Sequence, residues 1–540
     1  MGGSTGVENV SKTDSGVDLE ESSPTSPAIV DNKNEATVDN EAIQRTVLKA
    51  SNVRQIIIVL AGFTVTAMTC SIVFAFGVYQ ALYEDMSQNP DTPFTSTSSA
   101  EIGLIGTLAL SLMTLGGPFA MTWAKLFSPQ IVIGAGGVVF GIAFVLASFS
   151  QQPWQFALTQ GLLAGVGTCM SYVPTTAVVP TWFDKRRAFA MGVTISGTGV
   201  GGMFWPPVLR ALITHVGFRN AMRISGCTCA VLVVAAGCAL PFEPGFRRRM
   251  QLTVPTPTPT AGFTTTAATT TTTNRSTPSS SARTILRRMT TLPKLDSGVA
   301  MSRKFVAQAL ANFVQAAGYS TPLFFYAAYA QSRGFGADAA ANFITLSNAS
   351  NFVSRIMIGY AADRLGRLNA LFVTTVLTAI AVLGFWLPST FCDVNHDAHG
   401  DNGNTCDTDE ANVLFFIFTV LYGSFASAYI SLFPACLLEL FGHRHFTAVS
   451  GSLYLVRGAG ALVGTPLTGL LIPRATALTQ ATTYTHAAVT VGALMSAAAV
   501  FTAWARVEAQ FGTDMNAGAQ STRAQDTNTR TNKWKRKWKA

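Results

Sequence analysis

Two arginines pose the chemical question. Arg355 and Arg457 are the only Asp, Glu, Lys or Arg residues inside the long apolar stretches of this 540-residue chain. An ionised side chain at that depth in hydrocarbon costs at least about 2.5–3.5 kcal/mol, so it normally faces a cavity or a partner. A guanidinium stays charged at any relevant pH, and its planar fork binds a carboxylate through two parallel N–H donors. Two such groups, with no carboxylate in the same stretches, would make an anion site. The plainer alternative is that either arginine reaches back to the membrane surface or bonds helix-end carbonyls. The nearest acids toward that surface are Asp363 and Glu439, and a pair to either would weaken the anion site.

Neutral polar residues in the same stretches are secondary candidates for contact with a solute. They are Gln160 and Tyr172 in the fourth stretch, Asn312, Gln315, Tyr319 and Tyr326 in the seventh, Asn351 in the eighth and Tyr429 in the tenth. Side chains bonded across a helix bundle account for such residues equally well. Gly197, Gly199, Gly201 and Gly202 suit close helix approach better than ligand contact. His215, His443, His445 and His486 fall near the ends of stretches and form no convincing proton relay. There is no Walker motif and no catalytic constellation in or beside the stretches, so neither an enzyme nor a cofactor is expected.

The elements that must position these residues follow from composition. Charged residues make up 12% of the chain and hydrophobic residues 49%, with a mean hydropathy of +0.33. About 20 helical residues cross the roughly 30 Å of hydrocarbon in a bilayer, and twelve runs of that order occur. They span 56–82, 102–122, 130–150, 154–181, 188–209 and 224–242, then 305–330, 340–361, 368–388, 411–434, 447–472 and 484–505. Hydrocarbon offers no partner to backbone amides, so these runs must be helices. The expected fold is an all-α membrane protein with twelve transmembrane helices in two six-helix halves.

Lys and Arg in short loops fix the orientation. Lys185, Arg186 and Arg187 follow the fourth run, and Arg364 and Arg367 follow the eighth, which places both loops in the cytoplasm. The loop after the first run carries Glu84, Asp85, Asp91 and Glu101 with no basic residue, and falls outside. The acidic loop 389–410 falls outside too, and both termini fall inside. His215, Arg219 and Arg223 dissent, lying on the outer side of the fifth run.

Residues 1–53 read as a disordered cytoplasmic tail, 54–242 as the first half and 304–506 as the second. Between the halves, 243–303 is a Thr/Pro/Ser-rich cytoplasmic linker, and 507–540 is a basic cytoplasmic tail. That tail ends in WKRKWKA, which suits contact with a lipid surface better than with nucleic acid. Six of the eight cysteines lie in or near apolar runs. Cys392 and Cys406 share the acidic outer loop, where an oxidising environment permits a disulfide without requiring one.

One loop makes the architecture specific. GYAADRLGRLNAL, residues 359–371, resembles the loop signature of the major facilitator superfamily. The resemblance implies that Gly359 allows close helix approach, that Asp363 caps and pairs, and that Arg364 and Arg367 bind helix ends. With Gly366 these residues would form a conformational latch on the inner face, held in one state and released in another. The matching loop of the first half, AMTWAKLFSPQ (120–130), has Ala124 and Lys125 where Asp363 and Arg364 stand later. The latch is therefore expected mainly on the second half.

Within that superfamily the chain is similar to the fungal monocarboxylate porter group, through VFAFGVYQALY (73–83), PTWFDKRRAFAMGVTISGTGVGG (180–202) and NASNFVSRIMIGYAADRLGRLNAL (348–371). The group's acidic-Gly-Gly-aromatic opening is absent, since this region reads ASNVRQ (50–55). Animal lactate carriers of the group place a Lys where Val78 stands. They also place an Asp four residues before an Arg in the eighth helix, where this chain has Asn351 and Arg355. Proton coupling stays open on that ground. The expected function is that of a plasma-membrane secondary carrier with no cofactor, and the two arginines point to a small organic anion as cargo, a mono- or dicarboxylate metabolite, with export favoured. A larger amphipathic secondary metabolite is the alternative cargo. A nontransporting sensor would need a compact cytoplasmic domain, which the Thr-rich linker does not resemble.

Overall fold

The computed structural model describes residues 52–244, 296–391, 408–471 and 481–510. The two tails, most of the linker and the pair Cys392 and Cys406 lie outside the described residues. Chain contacts separate Met1–Arg54 from Gln55–Ala540. Of the first unit only residues 52–54 are described, and they are helical. All that follows concerns the second.

Twelve helices cross that unit among the described residues. They are α1 (55–88), α2 (Ser99–Leu115 continued by Gly117–Leu126), α3 (Pro129–Ala147), α4 (Pro153–Trp182), α5 (Arg187–Val216) and α6 (Phe218–Cys238). The second six are α7 (Arg303–Ser332), α8 (Ala337–Leu365), α9 (Arg367–Ser389), α10 (408–441), α11 (443–470) and α12 (Thr482–Gln510). Among the described residues, seven helical segments are long and apolar enough on their own to cross a membrane, and the bent pair α2 makes eight. One of the seven is a continuous run that Gly442, at φ 64 and ψ 175, divides into α10 and α11. The remaining three, α5, α7 and α8, are 29 or 30 residues long but less apolar. Thr194 and Ser196 of α5, Gln308 and Asn312 of α7, and Ser347 and Asn351 of α8 are buried in protein.

The outer surface shows the reverse of a soluble protein. On α3, Ile131, Val138, Ile142 and Leu146 are spaced for one helix face and are 45–61% exposed. The opposite face of α3 is glycine-rich and packs closely. A Cβ added to Gly137 would lie 2.7 Å from Val233 of α6, and one added to Gly136 would lie 2.7 Å from the Gly167 carbonyl of α4. Small residues substitute here for the hydrophobic effect, which is absent between helices in lipid.

Breaks in α1 and α2 fall at the centre of the bundle. A π-helical turn occupies Thr66–Cys70, and the helix breaks at Ala75 (φ −79, ψ 6) before resuming at Phe76. α2 bends by 46° around Gly116. Pro118 explains that bend, because its ring displaces the Thr114 carbonyl and it has no N–H to offer.

The basic residues at the turn between α5 and α6 have a local cause. Arg219 and Arg223 lie inside the first turns of α6, earlier than the expected start at 224. The Arg219 guanidinium donates to the Ser148 carbonyl (3.4 Å), and Arg223 Nε donates to Ser148 Oγ (2.8 Å). They serve the C-terminus of α3, where a helix favours cations.

Candidate functional site

The two halves meet along α5 and α8, and along α2 and α11. Glycines set the first approach: a Cβ on Gly359 of α8 would lie 2.6 Å from the Ala188 carbonyl, and Gly192 of α5 fits against the Arg355 carbonyl. The second is alike, with a Cβ on Gly458 of α11 meeting Leu115 N of α2 at 2.6 Å. Side chains then tie the halves together. Tyr454 OH bonds Thr176 Oγ1 (2.9 Å), and Asn348 Nδ2 donates to the Gly202 carbonyl (3.3 Å).

At one end of the bundle the α8–α9 turn makes the densest tie. Gly366 adopts φ +95, a left-handed conformation that favours glycine, and so turns α8 directly into α9. The Asp363 carboxylate accepts from the backbone amides of Ala188 (3.1 Å) and Phe189 (2.8 Å), in the first turn of α5. These amides have no partner within their own helix, and α5 has no side-chain cap of its own. Arg367 Nε holds the same carboxylate at 3.0 Å. The rest of its guanidinium donates to Glu439 (3.3 Å) and to the carbonyls of Asp184 (3.4 Å) and Lys185 (3.3 Å). Arg364 departs from the expected helix-end contact. It is exposed and lies 4.4 Å over the Tyr360 ring.

Deeper along α8, Arg355 is 1% exposed. Its Nη1 donates to the Ile195 carbonyl (2.5 Å) and to the Thr198 hydroxyl, both on α5, while its Nε has no partner. Arg457 of α11 is 7% exposed and rests on neutral amides of α7. Its Nη1 donates to Gln315 Oε1 (2.8 Å) and Asn312 Oδ1 (3.2 Å). The rings of Tyr319 and Tyr429 lie 5.9 Å from its guanidinium carbon, within cation–π range. Asn312 is anchored in turn to the Leu453 carbonyl (2.6 Å), and Gln315 to that of Ala426 (3.5 Å). Among the described residues neither arginine has a carboxylate partner; Asp363 and Glu439 are engaged by Arg367.

Both arginines line one central cavity, with Tyr172, Tyr319, Cys70, Phe74 and Thr198 among its walls. Its free volume is about 30 Å³. That is enough for one or two waters and for no organic solute. A second cavity of about 40 Å³ adjoins it through Phe74, Leu110, Thr198, Tyr319 and Ser320, and lies farther from the α8–α9 end. Asn351 lines this second cavity.

The expected site residues therefore separate into groups. Arg355, Arg457, Tyr172 and Tyr319 line the central cavity, and Asn351 lines its neighbour. Asn312, Gln315 and Tyr429 stand behind them, supporting Arg457. Gln160 is placed elsewhere: it accepts from Tyr83 OH (2.7 Å) beside Phe94 and Phe156 in an aromatic cluster of the first half. Tyr326 also packs into an aromatic group, with Phe415 and Phe418. The first half contributes to this site through Ile195 and Thr198 of α5, which accept from Arg355. Their only signal in the sequence is the Thr and Ser residues within the glycine run 192–202. Arg333, just past the expected end of the seventh run, is a third buried arginine; its Nε donates to Asn412 Oδ1 (3.3 Å).

Comparison with known proteins gives a consistent picture. The sequence model described as Major Facilitator Superfamily matches residues 56–400 and, overlapping them, 309–538. The chain is 27% identical over 431 residues to an MFS-type transporter of Gibberella moniliformis, covering 80% of this chain and 87% of that protein. It is 26% identical over 422 residues to the agnestins efflux protein of Paecilomyces divaricatus (78% and 82% covered). To the aspyridones efflux protein of Emericella nidulans it is 28% identical over 408 residues (75% and 69% covered).

Proposed function

Because the chain belongs to the Major Facilitator Superfamily and is a transporter of that type, we propose that it is a secondary carrier for an organic anion. In this reading Arg355 and Arg457 receive the anionic group. The observation that carries it is two buried guanidiniums on one cavity, neither with a carboxylate partner among the described residues. Each is held by neutral acceptors, which orient the charge without cancelling it. Two like charges on one low-dielectric cavity disfavour each other, and an anion between them relieves both. Asn351, Tyr319 and Tyr172 complete the contact surface, with Asn312, Gln315 and Tyr429 as its support. Gln160 has no part in it.

Transport proceeds by rocking of the halves. We place the α8–α9 end in the cytoplasm, with both termini, in the plasma membrane. Asp363 and Arg367 then latch the inner end by capping α5 from the other half, Gly359 and Gly366 permit the approach, and Arg364 packs beside them. Arg355 links the latch to the cargo. An anion that draws its guanidinium from Thr198 weakens a tie between the halves while forming a stronger one to itself. The monocarboxylate porter-like subgroup is the finer placement, supported by the stretches 180–202 and 348–371. Export is the favoured direction, since two relatives are named efflux proteins. Proton coupling, if used, requires a group other than an α8 carboxylate, because Asn351 stands at that position.

A larger amphipathic secondary metabolite is the second reading of the cargo. The apolar side of the adjoining cavity, formed by Leu110, Leu323, Phe324 and Ile344, favours it. Flux in vesicles containing the full chain, measured with carboxylic acids and their neutral amides across and without a pH gradient, tests the anion reading. Saturable flux of the acids alone is expected; equal flux of the amides contradicts it.

A further inference from the structure

The two adjoining cavities differ in chemistry along one line. Nearer the α8–α9 end, the walls carry Arg355 and Arg457. One turn farther along α8 is Asn351, on the same helix face as Arg355 by its spacing of four residues. Asn351 is 7% exposed, lines the second cavity, and its carboxamide oxygen is buried without a partner. A buried acceptor left unpaired carries a cost of about 1–3 kcal/mol that a ligand donor can remove. Around it, Leu110, Leu323, Phe324 and Ile344 form an apolar wall. Phe74 borders both cavities and packs against both hydrophobic cores. It sits just before the break at Ala75 in α1.

The geometry points to an amphipathic hydroxy- or amino-substituted carboxylate as the substrate class. Once the two cavities, about 30 and 40 Å³ in this structure, widen and join as the halves part, the carboxylate sits at the arginines, the apolar body extends past Phe74 into the second cavity, and a hydroxyl or N–H on that body donates to Asn351. This rests on the anion reading of the arginines and adds a separate subsite with its own determinants. Asn351 and Leu323 are then specificity-determining residues: the first reads the polar substituent and the second the bulk of the body.

The test is binding to the purified full chain, followed by thermal stabilisation, with four probes: lactate, 3-phenylpropionate, 3-phenyllactate and the methyl ester of 3-phenyllactate. The expected order is phenyllactate, phenylpropionate, then lactate, with the ester inactive. Burial of a phenyl group corresponds to about tenfold or more in affinity, and one hydrogen bond to about fivefold. Asn351→Leu should abolish the difference between phenyllactate and phenylpropionate. Leu323→Trp should remove the advantage of the aryl acids over lactate, and an unchanged unfolding temperature without ligand shows that the variant is folded. Equal binding of lactate and phenyllactate, unaffected by either substitution, overturns the subsite and leaves the anion site standing. Binding of the ester as tight as the acid, insensitive to Arg355→Gln, overturns the anion reading. No stabilisation by any acid contradicts both.

Discussion

The Asp363 carboxylate of α8 accepts the Phe189 amide of α5 at 2.8 Å, so the cap of a helix in one half is supplied by the other. A helix N-terminus favours negative charge, and a capping side chain contributes about 0.5–2 kcal/mol. The same carboxylate is held by Arg367 at 3.0 Å, which fixes its position for capping. Separation of the halves at this end leaves the first turn of α5 without that acceptor.

Asp363→Asn should therefore weaken closure at the α8–α9 end. Cys436, fully buried beside this end, is a native reporter. In a chain whose other cysteines are replaced, its labelling by a small thiol reagent should rise by about 2- to 30-fold, the population change that corresponds to the cap energy. Unchanged labelling would show that the cap does not hold the closed state.

Thr198→Val should raise the affinity for an anionic substrate by about fivefold. The hydroxyl accepts from Arg355 in the unliganded structure, and a hydrogen bond of net worth near 1 kcal/mol competes with the cargo by that factor. Stability of the unliganded protein should fall at the same time, because a buried donor loses its acceptor. Titration by isothermal calorimetry, with thermal unfolding in parallel, reads both effects. Weaker binding would mean that Thr198 presents Arg355 to the cargo instead of restraining it.

Gly359→Leu should stop transport without preventing assembly in the membrane. A Cβ at that position already meets the Ala188 carbonyl at 2.6 Å, so a larger side chain forces α5 and α8 apart at the closed end. Surface delivery with flux below about a tenth of the wild type is the expected outcome, taking about 1.4 kcal/mol of lost closure as tenfold. Normal flux would place the moving contact elsewhere.

The extent of the helices was legible in the sequence because lipid imposes a length and a polarity on each one. The eighth run, expected at 340–361, is Ala337–Leu365, and the fourth, expected at 154–181, is Pro153–Trp182. The sixth was displaced because Arg219 and Arg223 looked like loop residues, whereas they sit in a helix and bond the end of α3. Arg355 and Arg457 were identifiable from burial cost alone. Their partners were not, since Arg355 bonds residues 157 and 160 positions away. Gln160 illustrates the limit: a polar residue in a span finds either a cavity or a neighbour, and only the fold reveals that its neighbour is Tyr83. The bend at Gly116 could be suspected from Pro118, but the π-helical turn at Thr66–Cys70 has no comparable signal.

The most direct test compares wild type, Arg355→Gln and Arg457→Gln for flux of a transported acid in vesicles matched for the amount of protein in the membrane. Loss of a charge-assisted contact worth about 1.5–3 kcal/mol predicts a fall of at least about tenfold in the transport rate at low substrate for each variant. Full activity of Arg355→Gln on an anionic substrate would contradict the assignment of the central cavity as an anion site.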